Sequence, residues 1–417
     1  MWDAVVIGLG GVGSFALREL SLRTRNQGRA AATRVLGLEA FERAHAFGSS
    51  HGHSRIYRHA YFEHPSYVPL LQFSTSEFQR LQQHSNIKLL EECGTLIVEE
   101  EAGGPILEGC HQASRLHGLS VEELSSRQLK QTYPQFLFED SMVGLLERNA
   151  GFVRPERAIR AALSQAESNG ATIWEKVRVQ SIRENLEQDG GNHSIPHVEI
   201  ALQLNGEERL VRCRKLIVTA GAWTSALIPS WKPHLRVTRQ IQAWLSVRDN
   251  VDDDKSSTIY HPSRMPTWFL FSSKLPYPIY GIPTDPDHDD DDVSKRIKIA
   301  FHGRDDPLED PGANPPTVSK EEWQELKDAS EYVFKNLGTD LVWADAKPCM
   351  YTTTPDENFM VGQPKGYSLT YAVAGLSGHG FKMTPGLGRV IVDMAMDDHG
   401  VCNDFDVEFL SPSRFGV

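Results

Sequence analysis

The glycines near the start of the chain stand where a nucleotide-binding turn needs them. The segment GLGGVG, residues 8–13, follows a β-branched run at 3–7 and precedes apolar residues that recur every fourth position. In the pattern G-x-G-x-x-G, Gly8 makes the tight turn, Gly10 lets the backbone approach a pyrophosphate, and Gly13 lets helix and strand pack closely. The pattern predicts a strand, a turn and a helix whose N-terminus binds phosphate groups.

A carboxylate at the end of the next predicted strand narrows the choice of nucleotide. Residues 34–38 predict that strand, and Glu39 ends it. A carboxylate at this place accepts hydrogen bonds from both ribose hydroxyls and repels a 2′-phosphate, so the pattern disfavours NADP. It does not separate NAD from FAD, because both contain the same ADP half.

One cysteine stands in an unusual setting. Cys349 opens CMYTTTPDENF, directly before a Tyr, a Thr run and a Pro-Asp turn. The other cysteines are scattered at Cys93, Cys110, Cys213 and Cys402. No CxxC pair and no zinc-like spacing occurs in the sequence, which favours a reducing compartment and predicts no metal site. Taken alone, Cys349 is most simply interpreted as a buried, inert thiol.

Basic side chains recur in two further segments that could bind an anion. In GSSHGHSRIYRHAY, residues 48–61, Arg55 and Arg58 lie three apart and would share one face if the segment were helical. The planar guanidinium of an arginine pairs both oxygens of a carboxylate at once. In RIKIAFH, residues 296–302, the alternation of a strand points Lys298 away from the three apolar side chains.

The tract DPDHDDDD, residues 285–292, is the one low-complexity patch in the sequence. Its functional interpretation would be a cation site. Aspartates in an unbroken run are more typical of a solvated loop, and the charge pattern favours that interpretation.

Composition limits the classes of protein to which the chain can belong. At 417 residues with 40% apolar content, the chain is long enough for two domains. The net charge of −12, from 43 basic and 55 acidic residues, argues against nucleic acid or an anionic membrane as a partner. No run of about 18 apolar residues occurs. The start, MWDAVVIGLGG, is not a signal peptide, and the end, SRFGV, is not a Ser-Lys-Leu peroxisomal address.

The remaining predicted elements alternate between helix and strand in the first half of the chain and then become more antiparallel. We expect an extended first helix and a surface loop at 22–34, a helix at 155–170, strands at 171–179 and 216–223, a mainly antiparallel sheet within 230–320, a strand at 369–375 and a helix at 385–396.

The order of five blocks resembles the monomeric sarcosine oxidase family, which includes N-methyltryptophan oxidase and pipecolate oxidase. The blocks are GLGGVG, GSSHGHSRIYRHAY, LIVTAGAW, CMYTTTPDENF and AGLSGHGFK, and they cover most of the chain. The resemblance implies an α/β, Rossmann-like FAD-binding domain of the D-amino acid oxidase type, with a second α+β domain built on a mainly antiparallel sheet. We expect the discontinuous FAD-binding domain at 1–75, 146–225 and 325–417, and the substrate domain at 76–145 and 226–324.

The resemblance also implies which residues bind FAD. Cys349 matches the family's cysteine that is joined to the 8α-methyl group of the flavin, and a thiolate is the nucleophile for such a bond. The other residues that we expect to bind FAD are Gly8, Gly10, Gly13, Glu39, Ser50, His51, Arg55, Val179, Ala220, Gly221, Trp223, Tyr351, Gly378, Gly380 and Lys382. A helix beginning near Pro385 would point its positive end at the flavin.

The same matching assigns chemical roles. Arg58 and Lys382 are expected to bind the substrate carboxylate, and Tyr280 to line the substrate site. Lys298 is expected to activate oxygen, and the catalytic group also includes Arg55, His302, His379 and Tyr280. One departure is the spacing of 18 residues between Tyr280 and Lys298, because shorter members of the family have fewer.

The resemblance predicts an oxidase of secondary amino acids, which passes hydride to covalent FAD, forms an imine and reduces O2 to hydrogen peroxide. A second hypothesis is a dehydrogenase that passes electrons to another acceptor, and a third is a non-catalytic flavoprotein. The presence of the cations Arg58, Lys298 and Lys382 disfavours the third hypothesis. We expect a small amino acid substrate and O2 as partners, no nucleic acid, no membrane, a monomer, and a cytoplasmic or peroxisomal location.

Overall fold

The computed structural model describes residues 1–26, 34–186, 195–248, 259–397, 402 and 404–417. The extended first helix is confirmed as far as Asn26. Residues 27–33 of the predicted surface loop that follows lie outside the described residues.

The described residues form strands along the whole chain. These are β1 (Trp2–Ile7), β2 (Val35–Leu38), β3 (Arg55–Tyr57), β4 (Leu90–Glu92), β5 (Thr95–Glu99), β6 (Glu122–Ser125), β7 (Val143–Glu147), β8 (Gly151–Val153), β9 (Thr172–Trp174), β10 (Val177–Asn185), β11 (His197–Leu204), β12 (Glu207–Val218), β13 (Arg236–Val247), β14 (Thr267–Phe271), β15 (Ile279–Ile282), β16 (Arg296–Phe301), β17 (Leu341–Thr353), β18 (Met360–Gly362) and β19 (Thr370–Ala374).

The α-helices among the described residues range from single turns to nearly five turns. They are α1 (Gly11–Asn26), α2 (Val68–Ser85), α3 (Pro105–His117), α4 (Ser126–Thr132), α5 (Pro155–Ser168), α6 (Thr224–Leu227), α7 (Asp291–Ser294), α8 (Lys320–Val333) and α9 (Thr384–Met396). None of these helices combines the length and the apolar composition that crossing a membrane requires.

The first sheet has a parallel centre. Strand β1 pairs in parallel with β2 and β12, β2 with β9, and β12 with β19. Ala4, Val5 and Val6 of β1 are fully buried, because helices α1, α2, α5 and α9 cover one face of the sheet and a second apolar cluster around Ile228 and Trp231 covers the other. The Rossmann-like α/β arrangement predicted from the sequence is confirmed.

The predicted strand at 171–179 is in fact two strands. Strand β9 pairs in parallel with β2, whereas β10 pairs antiparallel with β11. The chain turns between them at Lys176, whose φ of 61° is left-handed. The two strands have different neighbours, which the local apolar pattern does not reveal.

The second sheet is mainly antiparallel, as the sequence predicts. Its strand order is β17-β13-β16-β15-β14-β5-β7-β6, and only β14 and β5 are parallel neighbours. Strand β17 pairs with β13 from Arg236 opposite Thr353 to Val247 opposite Leu341. Strand β17 therefore belongs to the second sheet, although residues 325–417 were predicted to belong to the FAD-binding domain. The division into domains stays a prediction.

The segment 48–61 is not helical, so the condition under which Arg55 and Arg58 would share a helical face is not met. Gly52 and His53 have left-handed φ values of 94° and 69°, which a right-handed helix cannot contain. Strand β3 then pairs antiparallel with β8 in a small third sheet. The partner strand lies about a hundred residues along the chain, beyond any local sequence signal.

The acidic tract at 285–292 is only partly a solvated loop. Asp289 is exposed over 92% of its side chain, as expected. Asp285 is instead buried, and it accepts a hydrogen bond of 2.9 Å from Nε of Arg154, itself only 2% exposed. Asp290 accepts from the N–H groups of Asp292 and Val293 and so caps α7.

Candidate active site

One cavity of about 460 Å³ joins the β1–α1 turn to the second sheet. Its lining brings together most of the predicted site residues: Gly8, Gly10, Glu39, Ser50, Arg55, Arg58, Val179, Ala220, Gly221, Trp223, Tyr280, His302, Cys349, Tyr351, Gly378, His379, Gly380 and Lys382. Gly13, His51 and Lys298 are not part of the lining. Helix α9 begins at Thr384, which lines the cavity, so its positive end faces the space.

Glu39 organises the nucleotide end of the cavity. Its carboxylate accepts hydrogen bonds from the N–H of Leu9 at 2.8 Å and the N–H of Phe41 at 3.0 Å. Burial alone would raise the pKa of Glu39, but the neighbouring His45 and these two N–H groups lower it. The carboxylate is therefore ionised at neutral pH and retains lone pairs for further donors.

Cys349 lies on β17 beside Arg55. The sulfur is 3.7 Å from Nη2 of Arg55 and 3.9 Å from the carbonyl oxygen of Ser49, and the residue is 4% exposed. Arg55 also donates to the carbonyl of Ser49 and to the side chain of Gln242. These bonds place a fixed positive charge beside a sulfur that lines the cavity.

Arg58 is buried at the opposite end and is already paired. It donates two hydrogen bonds to Glu63, at 2.7 and 2.8 Å, and one of 2.8 Å to the carbonyl of Ala60. Its guanidinium lies 4.4 Å from the ring centre of Tyr61. Burial would raise the pKa of Glu63, but the Arg58 charge lowers it to about 2.

Lys382 is a second buried cation beside the same aromatic ring. Its Nζ lies 5.2 Å from the ring centre of Tyr61 and donates to the carbonyl of His379 at 2.7 Å. Burial, together with the Arg58 charge, lowers the pKa of Lys382 to about 7. Arg58 and Lys382 therefore lie beside the same ring, and their expected role in binding a carboxylate stays a prediction.

Two histidines of the cavity, His302 and His379, are neutral. Nε2 of His379 faces the carbonyl of Glu357 at 3.2 Å, so it carries the proton, and Nδ1 accepts from the hydroxyl of Tyr61 at 2.5 Å. Burial lowers the pKa of His379 to about 3 and that of His302 to about 4. Nδ1 of His302 lies 3.3 Å from the hydroxyl of Tyr351.

Two tyrosines complete this wall of the cavity. Burial raises the pKa of Tyr280 to about 12 and also raises that of Tyr351 well above its usual value, so both hydroxyls keep their protons at neutral pH. The ring of Tyr280 packs on that of Phe269, with 5.6 Å between their centres. The wall is therefore apolar with protonated hydroxyl groups at its edge.

Lys298 lies behind the lining, on β16. Its Nζ donates to the carbonyls of Gly52 and Ser54, at 3.0 and 2.9 Å, and it is 2% exposed. Burial, followed by the Arg55 charge, lowers its pKa well below the usual value. The apolar neighbours on β16 pack into the opposite core, so the predicted alternation is confirmed.

Buried polar atoms without partners support a polar occupant for this space. Among the described residues, Nε of Arg58, Nε2 of Gln242 and Nε2 of His51 have no hydrogen-bond partner. Arg58 and Gln242 line the cavity. A dinucleotide with carbonyl and ring nitrogen groups at one end and a carboxylate substrate beside it would supply acceptors for such donors.

Tyr61 and Glu63 were not predicted from the sequence. Tyr61 is the last residue of the block GSSHGHSRIYRHAY, and Glu63 lies two positions after it. The signal that could have found Glu63 is an acidic residue five positions after an arginine that is expected to be buried, because a buried arginine needs an anion.

The cavity is bounded by a nucleotide-binding turn on a parallel sheet and by a second, antiparallel sheet. This arrangement is typical of an enzyme that binds a dinucleotide cofactor between two sheets. The family model of FAD dependent oxidoreductases, DAO, matches residues 3–394. The chain therefore belongs to this family of FAD-dependent oxidoreductases.

Curated relatives match over nearly the full chain. Monomeric sarcosine oxidase of Streptomyces avermitilis is 30% identical, covering 95% of this chain and 94% of its own length. N-methyl-L-tryptophan oxidase of Salmonella dublin is 28% identical and covers 99% of each chain. Peroxisomal sarcosine oxidase of Homo sapiens is 27% identical, covering 95% of this chain and 92% of its own length.

Solved structures share the fold at lower identity. NikD, an unusual amino acid oxidase essential for nikkomycin biosynthesis, superposes with a TM-score of 0.78 at 18% identity. L-proline dehydrogenase from P. horikoshii superposes with a TM-score of 0.76, also at 18% identity. Both comparisons cover 99% of this chain and 97% of the other.

Proposed function

We propose that the protein oxidises secondary amino acids, either N-methylated or cyclic, and carries its FAD on the sulfur of Cys349. The observation that carries this proposal is one cavity that contains a dinucleotide turn, a cysteine beside Arg55, and the buried cations Arg58 and Lys382. Relatives named as sarcosine and N-methyl-L-tryptophan oxidases support the substrate class. FAD, when bound, accepts two electrons from the amine and passes them to O2, which becomes hydrogen peroxide.

The two buried cations would bind the substrate carboxylate. Arg58 and Lys382 both approach the ring of Tyr61, and Arg58 has an Nε without a partner among the described residues. Because Glu63 already pairs with Arg58, the incoming carboxylate must share the guanidinium with it or displace it. A guanidinium has five N–H donors, so sharing is chemically possible.

The neutral groups near the carboxylate site favour a neutral amine. His302, His379, Tyr280 and Tyr351 carry no charge at neutral pH, and Glu63 is balanced by Arg58. A substrate ammonium group would lose hydration there without gaining an anion of its own. The amine therefore sheds its proton on entering, which makes its C–H bond oxidisable and leads to an imine.

Lys298 would serve the oxygen step. Its amine is buried and donates to the carbonyls of Gly52 and Ser54. Burial and the Arg55 charge lower the pKa of this amine, and in its protonated form it would stabilise the negative charge that develops on O2 as it receives electrons. Arg55 and Cys349 line the cavity, and the charges of both influence the pKa of Lys298, which supports a cofactor edge near this amine.

Assembly and location follow as parts of the proposal. The relatives named monomeric and peroxisomal sarcosine oxidase support a monomer and a cytoplasmic or peroxisomal location, with a secondary amino acid and O2 as partners. We also retain the FAD-binding division at 1–75, 146–225 and 325–417, with the exception that β17 pairs in the second sheet.

A peroxide assay tests the proposed activity. The purified protein is mixed under air with sarcosine, N-methyl-L-tryptophan, L-pipecolate and L-proline, and with glycine and L-tryptophan as primary-amine controls. We expect equal amounts of O2 consumed and peroxide formed with at least one secondary amine, and slower turnover of the primary amines. Flavin reduction without O2 uptake would instead favour a dehydrogenase, the reaction for which one structural neighbour is named.

A further inference from the structure

The tract 285–292, called the acidic insertion below, is attached to the rest of the molecule through several side chains. It lies between Tyr280 and Lys298, which are 18 residues apart in the sequence. Its contacts are Asp285 with Arg154 at 2.9 Å, Asp287 with Lys88 at 2.7 Å, His288 with His53 at 3.1 Å and Asp289 with Arg157 at 2.8 Å. Contacts of this number and length fix the insertion in one place.

A cation site does not explain this arrangement. Carboxylate oxygens of Glu91, Asp285 and Asp287 lie within 4.8 Å of one another, which is close enough for a metal ion. Arg154 pairs with all three of these carboxylates, and Lys88 pairs with Glu91 and Asp287. Two protein cations therefore already lie among these three carboxylates and offset two of the three negative charges.

The contact between His288 and His53 has a defined direction. The backbone N–H of Asp290 donates to Nδ1 of His288 at 3.0 Å, so the proton of a neutral His288 lies on Nε2. Nε2 then donates to Nδ1 of His53 at 3.1 Å. The ring of His53 also packs edge-on against Trp244, with 5.6 Å between ring centres.

His53 belongs to the turn that positions Lys298. The N–H groups of Gly52 and His53 both donate to Glu156, at 2.6 and 3.1 Å. The carbonyls of Gly52 and Ser54 accept from Nζ of Lys298. The left-handed conformation of His53 is unfavourable for a non-glycine residue, so outside contacts must maintain it.

We propose that the acidic insertion is a clamp on the Gly52–Ser54 turn, and that His288 is a positioning residue for Lys298. This inference rests on the proposed function, in which Lys298 serves the oxygen step. Lysine has a flexible four-carbon stem, so the place of its amine depends on the two carbonyls that accept from it. The clamp acts on oxygen reduction and not on carboxylate binding, because Arg58 and Lys382 have other partners.

The first test measures reoxidation in the holoenzyme without needing a known substrate. Four proteins are reduced by light with EDTA and mixed with O2 while flavin absorbance is followed. They are the wild type, His288→Ala, Lys298→Met and the control Asp292→Asn. We expect His288→Ala to lower the second-order rate constant about tenfold and Asp292→Asn to change it less than about twofold. His288→Gln should recover most of the rate, because its amide N–H can replace Nε2–H.

The second test measures directly how well the Gly52–Ser54 turn is held in place. Amide hydrogen exchange at residues 52–54 should become faster in His288→Ala and stay unchanged in Asp292→Asn, because only the former loses a contact to His53. Binding of pyrrole-2-carboxylate, a planar carboxylate that cannot be oxidised as a secondary amine, should keep its Kd in both variants.

The outcomes separate the clamp from the proposed function. Slow reoxidation with fast exchange and an unchanged Kd supports the clamp. If Lys298→Met is slow to reoxidise while His288→Ala is not, the clamp is wrong and the role of Lys298 stands, even if exchange has changed. If Lys298→Met reoxidises as fast as wild type, Lys298 does not serve the oxygen step. The proposal that His288 positions Lys298 for that step is then also wrong.

Discussion

The charge at the substrate end of the cavity depends on individual side chains. Arg58 and Lys382 bring two cations to the ring of Tyr61, and Glu63 contributes one carboxylate. The pKa of Glu63 is about 2, so this carboxylate is ionised throughout the physiological range. In the proposed function, the carboxylate of an amino acid substrate would therefore compete with Glu63 for Arg58.

Replacing Glu63→Gln should strengthen the binding of a carboxylate. Without a competing anion, Arg58 can pair fully with pyrrole-2-carboxylate, and we expect its Kd to fall about tenfold. The change in flavin absorbance on titration at pH 6.5 gives the Kd. The exposed Glu92→Gln serves as the control, and an unchanged or weaker affinity in Glu63→Gln would show that Arg58 does not bind the ligand.

The affinity should also depend on pH through Lys382. Its pKa is about 7, and the pKa values of Glu63, His302 and His379 lie at about 2, 4 and 3, so only Lys382 among them titrates near neutrality. A carboxylate prefers the charged lysine, so Kd should rise about tenfold per pH unit above pH 7.

Lys382→Met provides the check on this pH dependence. The variant should bind pyrrole-2-carboxylate weakly at every pH between 6 and 9, with a flat profile. A sloping profile that persists in Lys382→Met would assign the titration to another group.

At the scale of elements, two glycines of the β1–α1 turn should have separable effects. A Cβ on Gly13 would lie 1.8 Å from the carbonyl oxygen of Gly8, whereas a Cβ on Gly10 would meet only Ser50 Oγ at 3.9 Å. Gly13→Ala should therefore destabilise the apoprotein by about 3 kcal/mol. Gly10→Ala should leave the apoprotein stable and reduce FAD binding at least about tenfold, because the methyl group occupies the phosphate approach.

Thermal unfolding of apoprotein made without riboflavin, followed by titration with FAD, distinguishes these effects. A Gly10→Ala protein that binds FAD as tightly as wild type would place the phosphates elsewhere. A Gly13→Ala protein of normal stability would mean that helix and strand can separate at this turn.

Local patterns predict single elements from their own spacing and periodicity, but they do not show which distant segments those elements contact. The β1–α1 turn follows from the glycine spacing, and β19 and α9 follow from their apolar periodicity. The segment 48–61 forms β3 because β8 accepts it, and Asp285 is buried because Arg154, 131 residues away, pairs with it. Neither of these two partners is marked in the local sequence. Glu63 is only five residues from Arg58 and was missed because the spacing alone does not show that Arg58 is buried.

At the scale of the whole molecule, the cavity lies between the two large sheets. The nucleotide end belongs to the first sheet and Cys349 to β17 of the second. A cofactor that spans both would link the stabilities of the two sheets. The domain boundaries are less predictable from sequence, because β17 follows α8 along the chain yet pairs with β13 over its full length.

This linkage predicts that Cys349→Ala makes stability depend on free FAD. A reversible ligand at 100 times its Kd stabilises the folded state by about 2.7 kcal/mol, whereas a covalent one adds nothing with concentration. We expect the Tm of Cys349→Ala to rise as FAD is added and that of the wild type to stay constant. Cys213→Ala, which lies away from the cavity, should behave like wild type.

The most direct test of the central claim is the mass of the denatured holoprotein. After acid precipitation and chromatography in denaturant, we expect a single species heavier than the polypeptide by one FAD less two hydrogens, with the added mass on the peptide that contains Cys349. A polypeptide mass without flavin, from a preparation that was yellow before denaturation, would contradict a covalent flavin at this cysteine.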